Sequence, residues 1–435
     1  MRILYINHYA GSPRHGMEYR PYYLAREWVQ AGHAVRIVAS SHSHLRAMQP
    51  ELGSRRQLEE SIDGIHYTWL QTSAYHGNGL GRVRNIAAFV QRLYAEGRRL
   101  AMEERPDVVI ASSTYPMDIW PAHRIARMAG ARLVFELHDL WPLTPMELGG
   151  MSKWHPFIMV AQAAEHFVYR NVDAVVSMLP KVHAHVSARG MALEHLHIVP
   201  NGVQPQAWPS RIQRLDGPVG NMLADISRGG RAIVGYAGNH GISNSLPTLL
   251  QAAKIMRDEN VFFVLVGGGP EKDGLKQWVQ DEGLRHVHFL DPVARDDIPA
   301  LLQWFDVAYI AWRRHSLYRF GIAPNKLMDY MMAGRPVLHA VEAGNDPVGE
   351  AGCGLTVAPE DPEASAHGIR ALLGAGEDER RAMGERGKQF VLQHFSYPVL
   401  SERFLAACRR EPGSARKQGI TMNHQQRTVR DVENG

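Results

Sequence analysis

Short apolar runs alternate with helical stretches along this chain, and the alternation occurs in two series separated by a break rich in proline and glycine. The first series holds the runs Ile3 to Asn7, Val35 to Ser40, Val108 to Ser112, Arg132 to Glu136, Ala174 to Ser177 and His197 to Val199. The second holds Ala232 to Tyr236, Val261 to Val266, Asp306 to Ile310 and Pro336 to His339. Strands joined by helices return in parallel, so the pattern predicts an α/β protein with parallel sheets and ligands gathered at the carboxyl ends of the strands. At 435 residues the chain is long for one hydrophobic core. Between Gln204 and Gly230, Pro205, Pro209, Gly217 and Pro218 interrupt any periodicity, and this stretch is expected to be a linker. Two α/β domains of similar size, 1–203 and 231–395, are therefore expected to face each other across a cleft.

Composition excludes several classes. With 45% hydrophobic and 21% charged residues the chain resembles an ordinary soluble globular protein. Its longest candidate for a membrane span, Phe157 to Tyr169, is too short and contains Gln162, Glu165 and His166. The opening MRILYINHYAG reads as a first buried strand and not as a signal peptide, which favours the cytoplasm. The cysteines, Cys353 and Cys408, are too few for a disulfide framework. A formal charge of +4 suits an anionic ligand or an anionic membrane surface without deciding between them, and no nucleic-acid partner is expected. The residues after Arg410 are polar and aperiodic, and a disordered tail is expected over 411–435.

The segment Tyr318 to Leu338, YRFGIAPNKLMDYMMAGRPVL, carries the strongest chemical signal. A turn at Gly321 leads into a short helix bearing Asn325, Lys326 and Asp329, which can offer amide donors, an ammonium and a carboxylate to one ligand. Amides and a cation suit phosphate, and a carboxylate suits ribose hydroxyls. A second glycine-rich loop, Gly238-Asn239-His240-Gly241, follows the first strand of the second domain and precedes a helix whose amino terminus would face a phosphate; a plain strand-to-helix loop is the alternative. In the first domain, Glu136, His138 and Asp139 stand at the end of a strand, where an imidazole could hydrogen-bond a reacting group. Gly16 and Glu18 lie in the first loop and overlook the same cleft. The apolar positions Val83, Ile86, Val90 and Leu93, interleaved with Arg82, Arg84, Arg92, Arg98 and Arg99, fit either a helix lying on an anionic bilayer or one packed on its own domain. There is no GxGxxG in the first loop, so a dinucleotide is not expected. No Asp-x-Asp triplet occurs, and metal dependence is not predicted.

Taken in order, MRILYINHYAG, VPNGV, VGYAGNHG, LVGGGP, NKLMDYMMAGRPVL and HFSYPVLSERFLAA resemble the retaining glycosyltransferases of family 4, in the branch that builds bacterial surface polysaccharides. The resemblance covers nearly the whole chain. It implies the GT-B architecture of two Rossmann-like domains, with 396–410 forming a terminal helix that crosses back to the first domain. It also implies an activated nucleotide sugar, here a UDP-sugar, as donor, no separate cofactor, and a lipid-linked saccharide as acceptor. Peripheral contact with the cytoplasmic face of the inner membrane goes with such an acceptor and stays open. His138 matches a histidine near the reacting sugar, and Asp329 matches the second glutamate of the family's signature pair. The first glutamate falls on Gly321, and the Arg and Lys that commonly follow the first strand of the second domain are replaced by Asn239, His240 and Ser243. Lys326 is expected to supply the missing charge. Two other readings remain at this stage: a nucleotide-sugar epimerase of the same architecture, and a non-catalytic nucleotide-binding protein.

Overall fold

The computed structural model describes residues 1–77, 79–208 and 215–409; the expected tail, 411–435, lies outside the described residues. The first domain is built on an eight-stranded sheet of β1 (Arg2–Ile6), β2 (Ala34–Ser40), β3 (Gln57–Ile62), β4 (Ile65–Leu70), β5 (Val108–Ala111), β6 (Arg132–Leu137), β7 (Ala174–Ser177) and β8 (Leu196–Ile198). Their spatial order is β3-β4-β2-β1-β5-β6-β7-β8. Every pairing is parallel except the β3–β4 hairpin. The second domain carries a six-stranded parallel sheet of β9 (Ala232–Ala237), β10 (Val261–Val266), β11 (Val287–Leu290), β12 (Val307–Ala311), β13 (Val337–Ala340) and β14 (Gly354–Val357), in the order β11-β10-β9-β12-β13-β14.

Each sheet is covered on both faces. In the first domain one face packs Ile6, Phe89, Ile119 and Phe135, and the other packs Tyr5, Trp28, Tyr67 and Trp69. The second domain repeats the plan with Leu223, Phe305 and Leu327 on one face and Leu249, Phe263 and Ile369 on the other. Buried central strands explain why their sequences read as continuous apolar runs.

The chain crosses between the domains twice, side by side. Val203 bridges Ser396, donating from its amide to Phe395 and accepting from Tyr397, each at 2.9 Å. The last described helix, Tyr397–Cys408, then returns to the first domain, where Tyr397, Leu400 and Phe404 join the core around Tyr23 and Trp28. The expected linker is not irregular throughout. Helix Gly217–Arg228 occupies part of it and sends Leu223 and Ile226 into the core of the second domain. Its Pro218 falls in the first turn, where proline costs the helix nothing, so the proline was a start signal and not a break. Likewise the basic stretch forms helix Leu80–Met102, and its apolar stripe of Ile86, Phe89, Leu93 and Leu100 is spent on the first-domain core, which selects the second of the two readings, a helix packed on its own domain.

Candidate active site

Both sheets reverse their winding at one place, between β1 and β5 in the first domain and between β9 and β12 in the second. The crevice outside the carboxyl ends of such strands is where ligands bind in open parallel sheets. The loops that follow these strands contain most of the residues singled out from the sequence.

On the second-domain side, Lys326 occupies the first turn of helix Asn325–Met332 and reaches back to the loop after β9. Its Nζ donates to the Tyr236 hydroxyl at 2.7 Å and to Asn244 Oδ1 at 2.9 Å, and lies 4.2 Å from the Tyr236 ring centroid. A Cβ on Gly238, whose φ is +155°, would stand 2.7 Å from Lys326 Cε, so a side chain there would push the lysine's end away from the loop. Tyr236 and Asn244 in turn hold the Asn239 carbonyl, at 2.7 and 2.9 Å. The structure thus joins Gly238, Asn239 and Lys326 into one cradle, with exposed Asn325 at the adjacent helix terminus. Burial lowers the Lys326 ammonium to about 7. A diphosphate beside it would favour the charged form.

Asp329, one turn on, is pushed up to about 6 by burial, against the pull of Arg295. Arg295 itself lies 5.0 Å from the ring of Tyr19 in the first domain. His240 follows Asn239 in the loop after β9, with both of its ring nitrogens buried and without a hydrogen-bond partner. Its side chain has no exposed surface and sits between the rings of Tyr236 and Phe289, while its backbone bonds Gly268 and Glu271. A Cβ at Gly269 would meet the His240 carbonyl at 2.5 Å, so the triple glycine packs backbone against backbone. Gly241 lies next to the Asn239 side chain.

Gly321 lies against the first domain. Its φ is +90°, and a Cβ there would stand 2.4 Å from Pro180 Cγ. The preceding Phe320 is buried in the first-domain core, its ring edge-on to His185 at 5.4 Å, and its carbonyl accepts from the Lys181 amide at 2.9 Å. Arg319 pairs with Glu147 at 3.1 Å, and Ser316 donates to the same carboxylate. The segment expected to hold a ligand is therefore also a fastening between domains.

On the first-domain side, Glu136 has no exposed surface. It accepts from Tyr5 at 2.5 Å, Ser112 at 2.6 Å and Arg20 at 2.8 Å, and His138 Nε2 lies 3.3 Å away. Burial would raise its pKa, but Arg20 and His138 hold it well below the usual carboxylate range. A carboxylate so enclosed cannot touch a sugar, and the expected direct role of Glu136 is corrected to fixing Arg20, Ser112 and His138. Ser112 and His138 Nε2 are 2.9 Å apart. Asp139 is also committed locally: its Oδ1 accepts from Leu140 at 2.8 Å and Thr144 at 2.6 Å, securing the turn after β6. Gly16, at φ +88°, and Glu18 shape the loop after β1, the Glu18 backbone carbonyl accepting from the Gly11 amide at 2.8 Å. Ser112, Tyr236 and Asn244 were missed because Ser112 and Tyr236 sit at the ends of apolar runs and Asn244 in a short turn, where nothing but the fold reveals a partner.

The sequence itself matches two family models, the glycosyl transferase 4-like domain over residues 15–202 and the glycosyl transferases group 1 over residues 231–375. The chain belongs to the family 4-like GT-B glycosyltransferases. This glycosyltransferase is 28% identical over 288 residues to a protein assigned as the colanic acid biosynthesis glycosyl transferase WcaI of Escherichia coli K12, covering 62% of this chain and 68% of that one. It is 23% identical over 331 residues to a protein assigned as the glycosyltransferase WbjE of Pseudomonas aeruginosa, covering 75% and 80%. Among solved structures, the Anabaena protein HepE in complex with UDP and glucose superposes with a TM-score of 0.62 at 14% identity, covering 93% of this chain and 99% of that one.

Proposed function

We propose that this glycosyltransferase moves a sugar from a UDP-sugar to a hydroxyl of a lipid-linked saccharide in bacterial surface polysaccharide synthesis, with retention of anomeric configuration. The observation that carries the reading is the contact of Lys326 with Gly238 and the Tyr236–Asn239 turn. A cation, a glycine that leaves backbone open to approach, and a helix amino terminus converge there, which is what a diphosphate requires. The two curated relatives support the glycan setting, and HepE in complex with UDP supports the nucleotide.

In this mechanism Asp329 receives the ribose hydroxyls and the cradle receives the diphosphate. As the anomeric carbon–oxygen bond breaks, charge grows on the departing phosphate and Lys326 stabilises it. The acceptor oxygen forms its bond on the same face and passes its proton to the phosphate oxygen that leaves. His138, held by Ser112 and Glu136, orients the sugar or the acceptor, and cleft closure excludes water. The acceptor brings the protein to the cytoplasmic face of the inner membrane as a peripheral component; no helix among the described residues is long and apolar enough to cross it.

The test is nucleotide release by the purified protein from UDP-, GDP- and dTDP-sugars, with and without a lipid-linked acceptor extract. Release from one donor only when acceptor is present is the expected result. The glycine at 321 favours one competitor, a nucleotide-binding protein without turnover, and binding with no release from any donor would establish it.

A further inference from the structure

The helix layer that covers the first-domain sheet has its helix starts at the carboxyl ends of the strands, beside the active-site cleft. Two of these starts carry large apolar side chains in solvent. Leu80 is 75% exposed at the start of helix Leu80–Met102. In the hairpin between helices Leu143–Glu147 and Pro156–Asn171, Leu148 is 60% exposed and Trp154 73%, followed by Met159 at 53% and Val160 at 46%. Trp141 joins the two groups. Arg82 lies 6.0 Å from its ring on one side, and Phe157 meets it edge-on at 5.6 Å on the other. The surface is apolar, contiguous and cationic. Residues 79–95 and 148–164 contain no Asp or Glu, and Arg84 and Lys153 are exposed among the apolar side chains, Lys153 standing 5.2 Å from the Trp154 ring, while half-buried Arg82 donates to the Tyr9 hydroxyl. The nearest acid in the hairpin, Glu147, is engaged by Arg319.

We infer that this rim, the Leu148–Val160 hairpin with Leu80 and Val83, is the surface that docks on an anionic lipid bilayer, and that the long basic helix takes part only through its first turn. The inference rests on the proposed lipid-linked acceptor. Tryptophan and leucine in solvent gain by entering the interfacial zone, where indole is accommodated well, and each cation near an anionic surface adds attraction that salt weakens. Glu147 ties the hairpin to Arg319, next to the Phe320–Gly321 fastening, so the rim borders the place where the domains meet. An acceptor drawn from the membrane would enter the cleft without leaving its lipid surface. Farther along the helix Arg98 is exposed, but Arg92 is half-buried and donates to Gln71, and the acid Glu96 interrupts the basic run between them.

The test is sedimentation of the full chain with phosphatidylcholine vesicles, with and without phosphatidylglycerol, at low and high salt. Wild type is expected to bind the anionic vesicles and to be released by salt. Trp154→Ser with Leu148→Ser is expected to lower vesicle partition by about tenfold or more, with an unchanged melting curve because both side chains are in solvent. Arg98→Glu, on the outer face of the basic helix, is expected to leave partition nearly as it was. Equal binding by wild type and the hairpin variant, or loss confined to Arg98→Glu, overturns the assignment. So does wild type that ignores vesicles but forms a dimer the hairpin variant abolishes, which would give the rim to a second copy of the chain. These readouts need no donor or acceptor, so a failed transferase assay with normal vesicle binding would count against the proposed reaction alone.

Discussion

Replacing Glu136 by Gln separates a structural carboxylate from a reacting one. The substitution keeps the shape and can keep a hydrogen bond to Tyr5 or Ser112, but it leaves the Arg20 guanidinium, 1% exposed, without its counter-charge. Removing one partner of a buried pair costs about 3–5 kcal/mol, because the remaining charge stays out of water. Arg20 also donates to the carbonyls of Val199 and Pro200 at 2.7 and 2.6 Å, just before the first domain crossing, so the loss reaches the hinge. Urea unfolding followed by fluorescence should show that loss. Pairing it with Arg20→Met should cost less than the sum of the two single variants. The pH dependence has a definite sign. Arg20 and His138 overcome burial to hold the Glu136 pKa below its unfolded value, so the stabilisation is complete above about 4.3 and is lost as pH falls below it. The variant should have a flatter acid limb than wild type. A Glu136→Gln protein within 1 kcal/mol of wild type, estimated against the cost above, yet without activity, would refute this account and return the carboxylate to the chemistry.

Three further outcomes follow from the site. Lys326→Ala should lower kcat/KM by about 10²-fold or more while the protein melts near the wild-type temperature; a loss of only a few-fold would remove Lys326 from the diphosphate. Because burial places the free Lys326 ammonium at about 7 and a bound diphosphate would raise it, UDP affinity should be full below pH 7 and decline above it, and calorimetry showing an affinity flat from pH 6 to 9 would contradict the cradle. His138→Ala should reduce kcat by about 10²-fold with little change in UDP affinity; the reverse split would move His138 to donor binding.

The sheets were legible where strands are buried on both faces, since Val261 to Val266 and Ile3 to Asn7 are continuous apolar runs. β3, β4, β11 and β14 were not: the edge strand β3, QLEESI, alternates polar residues and resembles a loop, and β11 and β14 are edge strands of four residues each. Lys326 and Gly238 could be named from local chemistry, yet their contact is 88 residues apart in sequence and only the order of β9 and β12 in the sheet creates it. Glu136 turned out to be enclosed by its partners although it stands at a strand end beside the cleft. Position at a strand end is visible in sequence, but whether a side chain turns to the cleft or into the packing behind it depends on partners such as Arg20 that come from other elements.

The glycine at 321 sets the limit of analogy with the family, and Gly321→Glu tests what it is for. If the site had merely lost a carboxylate, restoring it should leave the fold intact and improve turnover. The structure predicts the opposite. A φ of +90° disfavours any side chain, by about 1–3 kcal/mol, and the new Cβ would press on Pro180 Cγ from 2.4 Å, adding about 1–3 kcal/mol of overpacking unless something moves. What can move is the fastening, in which Phe320 leaves the first-domain core and Arg319 releases Glu147. The cost should therefore appear as separated domains more than as global unfolding, with a larger radius of gyration in solution scattering and a higher KM for donor. Pro180→Gly in the same chain should recover part of the compaction by giving the side chain room. A compact Gly321→Glu protein with raised turnover would show that the glycine is an absence, and that the fastening is not what keeps the carboxylate out.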